Sequence, residues 1–170
     1  MVLINIKRNN GVTLVALIVT VIILLIIAGI ATYSGIGIIR NANLEALKTN
    51  MLLIEAKSKE YVEEVSFKMG PTPDENNRAN VRKSVYEDEA GLKKGTDSGL
   101  STPSEIPTSD ATCYYVSPDT LSKWGIDNIE LEDGEGYFVK FDETNLTVEV
   151  YNNIGFNGKY TLTEIDQIEI

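Results

Sequence analysis

Gly11-Val12-Thr13-Leu14-Val15-Ala16-Leu17-Ile18-Val19-Thr20-Val21-Ile22-Ile23-Leu24-Leu25-Ile26-Ile27-Ala28-Gly29-Ile30-Ala31 is the stretch on which the reading of the whole chain turns. From Val12 to Ala31 there is no charge and no proline, and only Thr13, Thr20 and Gly29 interrupt the apolar run. At 1.5 Å per residue such a run makes a helix of roughly 30 Å, the thickness of a bilayer's hydrocarbon. A helix that is apolar on every side is stable in lipid or inside a helical assembly, not free in water. Lys7 and Arg8 precede it, and the next charge is Arg40. Positive charge in front predicts residues 1–10 in the cytoplasm and the C-terminal domain outside the cell.

Four fates fit an N-terminus of this form. Signal-peptidase removal would use the small residues of Gly29-Ile30-Ala31, leaving a secreted domain, of which an enzyme is one version. A plain uncleaved anchor is the second. Lipoprotein processing, the third, needs a cysteine directly after the apolar stretch, and the sequence has none there. In the fourth, which fits the residues best, the polar leader ends at Gly11 and the apolar helix stays on the mature protein.

Gly11-Val12-Thr13-Leu14-Val15-Ala16-Leu17 resembles the prepilin cleavage and methylation motif of type IV pilins and of pseudopilins. The resemblance implies that Gly11 is the last leader residue and Val12 the new, methylated terminus. Thr13, Leu14 and Ala16 would belong to the assembly motif. It also implies prepilin peptidase, the membrane and other pilin subunits as partners. At the fifth mature position the family usually carries Glu, whose carboxylate compensates the buried terminal amine of a neighbouring subunit; this chain has Ala16. An unpaired charge in an apolar core costs several kcal/mol, so Ala16 suits a minor or tip subunit, or a filament that solvates the amine another way. It also suits an anchored binding domain that never polymerises. Some Gram-positive pilin-like sequences are similar in having a small apolar residue here. The resemblance extends equally to adhesion or motility pili, secretion pseudopili and DNA-uptake filaments.

Further along, Gly29, Ser34, Gly35 and Gly37 weaken the helix, since each glycine costs roughly 1 kcal/mol relative to alanine. They are expected either to form a hinge or to permit close helix–helix approach. Past Arg40 the pattern turns amphipathic: Leu44, Leu47, Met51, Ile54, Tyr61 and Val65 recur at three-and-four spacing, with Ser58 in the one gap. Residues 12–39 are thus expected to be a transmembrane and assembly helix and 40–67 its amphipathic continuation. Gly70-Pro71-Thr72-Pro73 stops the helix. Residues 68–111 read as a variable connecting region, with a short helix over Asn80–Glu87 and an exposed loop over Gly95–Asp110.

From residue 112 to 170 strand signals dominate. Cys113–Val116, Tyr137–Phe141, Leu146–Tyr151 and Lys159–Leu162 alternate as strands do, with Asp142–Asn145 as a hairpin loop and Asn157-Gly158 as a turn. Ser117-Pro118-Asp119 opens a helical turn running to Trp124, and Thr163-Glu164-Ile165 begins a terminal one. Tyr, Phe and Val alternating with Lys, Thr and Glu predict a sheet wet on one face, with the other packed on the stripe of Leu44 to Val65. The class is α+β, a long N-terminal helix on a small antiparallel sheet. That is the pilin-like plan, and the C-terminal Tyr-rich hairpin with Asn157-Gly158-Lys159-Tyr160 is similar to Gram-positive pilin-like proteins.

Composition narrows the function. The 170 residues carry a net charge of −10 and no histidine, and the isoelectric point is near 4.5. That balance argues against a phosphate-backbone partner, and Arg82-Lys83 and Lys93-Lys94 read as solvated pairs. Without histidine, Cys113 and the serines lack the usual activating base, so no catalytic residue and no cofactor is assigned. Cys113, the only cysteine, reads as a small apolar residue, with an intermolecular bridge as the alternative. Glu130, Glu132, Asp133 and Glu135, broken by Gly134 and Gly136, match no EF-hand spacing and read as a solvated loop, so no metal ligand is assigned. Asn145-Leu146-Thr147 has the form of a glycosylation acceptor, a short pattern usually due to chance. Trp124 reads as core.

Overall fold

The computed structural model describes the backbone of residues 14–71 and 73–168, and side chains over 17–26, 37–71 and 73–168. The chain divides into two units, Met1–Ala42 and Asn43–Ile170, and helix α1, Leu14–Met69, has residues in both.

In the first unit the helix continues without a break through Gly29, Ser34, Gly35 and Gly37, so the glycines do not end it in the isolated chain. Among the described residues no helix is long and apolar enough to cross a membrane. The stretch Val12–Ala31 falls partly outside those residues, with side chains described only from Leu17 to Ile26.

The second unit is α+β: the C-terminal part of α1 and a five-stranded antiparallel sheet in the order β1-β2-β3-β4-β5. The strands are β1 Lys93–Lys94, β2 Cys113–Val116, β3 Tyr137–Asp142, β4 Thr147–Phe156 and β5 Lys159–Thr161. The amphipathic stripe buries Leu44, Met51, Ile54, Ser58, Val62, Val65 and Met69. Val62 rather than Tyr61 completes it, because Tyr61 lies at the edge of the stripe and stacks on Trp124 at 5.6 Å. The helix runs to Met69, two residues past the expected limit. Gly70, at φ +71°, then ends it, its N–H bonding back to Ser66 O at 3.3 Å, a left-handed turn that glycine adopts without strain.

Residues 68–111 hold more structure than a variable loop. Helix α2, Glu75–Arg82, is capped by Asp74, whose carboxylate accepts from Asn77 N at 2.7 Å. It continues as a π-helical segment, Lys83–Glu89, that buries Val85 and Tyr86. The short helix expected over Asn80–Glu87 is therefore longer and starts earlier. Strand β1 and a 3-10 turn at Gly95–Asp97 follow, so the sheet begins before residue 112.

The sheet itself departs from the wet-face expectation. All four residues of β2 are buried, because both sides of the central strands are covered. Tyr114, Val116, Tyr137, Val139, Phe141 and Val150 lie in the larger core with the α1 stripe and Tyr86. On the other face Cys113, Tyr115, Phe138 and Tyr151 form a smaller cluster closed by Ile106 and Leu100. Both closing residues belong to a strap, residues 98–109, inside the stretch expected to be an exposed loop.

The remaining elements follow their local signals. Helix α3, Pro118–Lys123, has Ser117 as its cap and Pro118 in its first turn. Helix α4, Leu162–Asp166, is capped by Thr161, with the Glu164 carboxylate accepting from the Thr161 hydroxyl at 3.2 Å. The β3–β4 turn lies one residue later than expected, since Asp142 pairs with Thr147. The Asp142 carboxylate accepts from Thr144 N and Asn145 N, both at 3.0 Å.

Candidate functional site

The residues with the strongest sequence claim to function lie at the N-terminus. Gly11, Val12 and Thr13 lie outside the described residues. Leu14 is the first residue of α1 and Ala16 lies in its first turn; their side chains lie outside the described set.

Just beyond, every large apolar side chain from Leu17 to Ile26 is between 48 % and 68 % exposed. Ten consecutive helical residues advance through all azimuths, at 3.6 residues per turn. Every side of this segment is therefore open among the described residues, and Ile38 and Ile39 are exposed in the same way. Leaving so many large aliphatic side chains in water forgoes about 1.5–3 kcal/mol for each that full burial would supply. In the second unit the helix has the opposite character, with one face buried and the other mostly charged. Three apolar side chains interrupt that outward face, Leu52, Leu53 and Phe67, the last 88 % exposed.

The acidic segment 130–135 borders a cleft of about 400 Å³, lined among others by Asn43, Asn50, Glu130, Glu132, Glu135 and Tyr137. Its carboxylates are not gathered on one point. Glu135 spends one oxygen on Asn152 Nδ2 at 2.7 Å and the other on Glu132 N at 2.9 Å. Asn153 fixes the glycines beside it, accepting from Gly136 N at 2.7 Å and donating to Gly134 O at 2.8 Å. The loop is a tied structural turn, and among the described residues no group of three acidic, histidine or cysteine side chains is placed to hold a metal ion. Asn152 also braces its own strand: its Oδ1 accepts from Ile154 N at 3.0 Å and Gly155 N at 2.7 Å, where the β4–β5 ladder is irregular.

One member of each basic pair is engaged within the second unit. Arg82 holds Glu143 through Nε and Nη2, both at 2.7 Å, tying the end of α2 to the β3–β4 turn. The Glu143 side chain is only 6 % exposed. This clamp joins residues 61 positions apart, and nothing in the local pattern of either segment announces it. Lys94 lies 4.0 Å from Glu87. Trp124 belongs to the core, with its indole N–H donating to Ala90 O at 3.0 Å and Tyr61 against its ring.

Cys113 is buried, and burial pushes its thiol up to about 12, so the thiolate that would form a disulfide is scarce at neutral pH. Asn145 sits on the exposed β3–β4 turn, where its amide donates to Asp142 Oδ2 at 2.7 Å. No protein-family model, no curated protein and no solved structure matches the chain.

Proposed function

We propose that the chain is a structural subunit of a type IV pilus-like or type II secretion-like filament. Prepilin peptidase cuts it after Gly11, and it assembles through its N-terminal helix. It carries out no catalysis. Before assembly it is a single-pass membrane protein with its N-terminus in the cytoplasm and its acidic α+β domain outside; after assembly it lies in a cell-surface filament.

One observation supports this reading above the others: α1 is apolar and uncovered all round from Leu17 to Ile26, then amphipathic and packed on its own sheet from Leu44 to Met69. The first part asks for lipid or neighbouring helices, while the second is complete within its own domain. Passing from lipid to a core of helices gains far less free energy than leaving water does, because lipid tails are as apolar as leucine. A powered machine is therefore part of the proposal.

The second reading is a membrane-anchored extracellular binding domain that does not polymerise, and Ala16 favours it. Mass analysis of the N-terminus, with the chain and a prepilin peptidase expressed together, separates the two. A terminus at Val12, lost in Gly11→Leu, is the expected result. An intact leader supports the plain anchor, and a terminus at Thr32 overturns both in favour of a secreted domain. If processing occurs, imaging of filaments from the native chain and from Ala16→Glu tests polymerisation directly.

A further inference from the structure

We propose that the strap 98–109 opens as a unit while the rest of the second unit stays folded, uncovering the sheet face of Cys113, Tyr115, Phe138 and Tyr151. The inference is independent of the filament reading and rests on how the strap is attached.

Its polar bonds close mostly on itself. Ile106 N donates to Pro103 O at 3.2 Å and Thr108 N to Ile106 O at 2.8 Å, so these survive when the segment lifts. The sheet beneath is complete without it, since β2, β3 and β4 satisfy one another in register. At its C-terminal end the Thr108 backbone lies where a Cβ on Gly95 would collide, and Asp110 N donates to Pro107 O at 2.9 Å; beyond this end, what seats the strap is small. Ile106 enters the cluster of Cys113, Tyr115, Phe138 and Tyr151. Leu100 rests directly on Gly136, where a Cβ would collide with it. Asn153 Nδ2 donates to Ser101 O at 3.0 Å, a bond that water replaces on opening.

The segment also has defined ends. Gly99 takes φ +68° with open space around it. At the other end Asp110 is locked to the sheet, its carboxylate accepting from Thr112 N at 3.0 Å and from Lys140 at 3.1 Å. Few apolar contacts and replaceable polar bonds are the marks of a segment that opens below the cost of global unfolding.

The chain in detergent carries its own probe, because Cys113 is the only cysteine of its 170 residues. The experiment is the rate of Cys113 alkylation by iodoacetamide across low urea, compared with the urea dependence of unfolding read by circular dichroism. The expected result is a labelling rate nearly independent of urea below the unfolding transition. Leu100→Ala is expected to raise that rate about tenfold, equivalent to about 1.4 kcal/mol. Ile54→Ala, on the far side of the sheet, is expected to lower the unfolding midpoint and leave labelling unchanged. Labelling with the full urea slope of unfolding overturns the proposal. So does acceleration by Ile54→Ala matching its loss of stability, or a Leu100→Ala rate equal to the native one. If Leu100→Ala does not fold, Ile106→Val serves, with a severalfold rise expected and no rise overturning the proposal.

Discussion

On one face of the sheet, Tyr114, Tyr137, Val139 and Phe141 meet a helix, a π-helical segment and the ring of Tyr86, stacked on Phe141 at 4.0 Å. On the other, Tyr115, Phe138 and Tyr151 meet two side chains of a strap. The strands alternate, so neighbouring residues of one strand belong to two cores of unequal depth. The helix face, with the larger cluster, is expected to carry most of the stability of the unit. The strap face keeps apolar residues out of water at lower cost in structure, and with less to lose when it opens.

The largest expected effect strikes both faces together. Burial raises Tyr86, Tyr114 and Tyr151 well above their ordinary value and Tyr137 to about 12, alongside Cys113 at about 12. In the unfolded chain these groups ionise from 9.0 for the thiol and 10.0 for the phenols. The folded state holds its protons longer, so its stability is full below pH 9 and is lost as pH rises toward about 12. In an alkaline titration of the chain and of its Tyr→Phe variants at these four positions, the absorbance they contribute should appear together with the loss of circular dichroism; their ionisation in a domain that stays folded breaks the argument.

Next in size, Phe141→Ala removes the ring beneath Tyr86 and should cost about 3–5 kcal/mol in urea unfolding, against about 2 kcal/mol for Ile106→Ala under the strap. Equal losses would erase the distinction between the faces. Glu143→Gln, which leaves Arg82 short of its partner at the rim of the helix face, should cost about 2–3 kcal/mol. The double variant Arg82→Met with Glu143→Leu should cost less than the sum of the singles, as a double-mutant cycle will read.

Smaller still is Lys140→Met. The Thr112 N–H, with help from Lys140, holds Asp110 below its ordinary value of 3.8. That contribution is present above this value and is lost as pH falls through the folded one. Both side chains are about a third exposed, so the substitution should cost only about 0.5 kcal/mol. Ser58→Ala should act in the opposite direction, since the Ser58 hydroxyl is buried without a hydrogen-bond partner among the described residues. A gain of up to about 1 kcal/mol is expected.

What the sequence made legible was local. Ser117-Pro118 as a cap, the alternation of Tyr137–Phe141 and the spacing of Leu44 to Val65 each carry their cause within a few residues. The cover of the second sheet face did not show, because Leu100 and Ile106 sit singly among Ser, Thr and Pro, with no periodicity to mark them. Lys93–Lys94 escaped notice as a strand for a related reason: two exposed lysines have no pattern, and pairing with Tyr114 and Tyr115 makes them one. Arg82 reads as half of a solvated pair and Glu143 as part of a hairpin loop until the fold brings them together. At the candidate site the legible part was the apolar run itself; Gly11, Val12 and Thr13 lie outside the described residues.

The sheet ends on one side with two residues and on the other with three, and a lysine opens each of these outer strands. A long bare outer strand is a template on which the next molecule can zip its own backbone into a continuous, irreversible fibre. Here each outer strand offers a neighbouring backbone no more than three residues of its own to pair with, and the first is two lysines, a poor start for such copying.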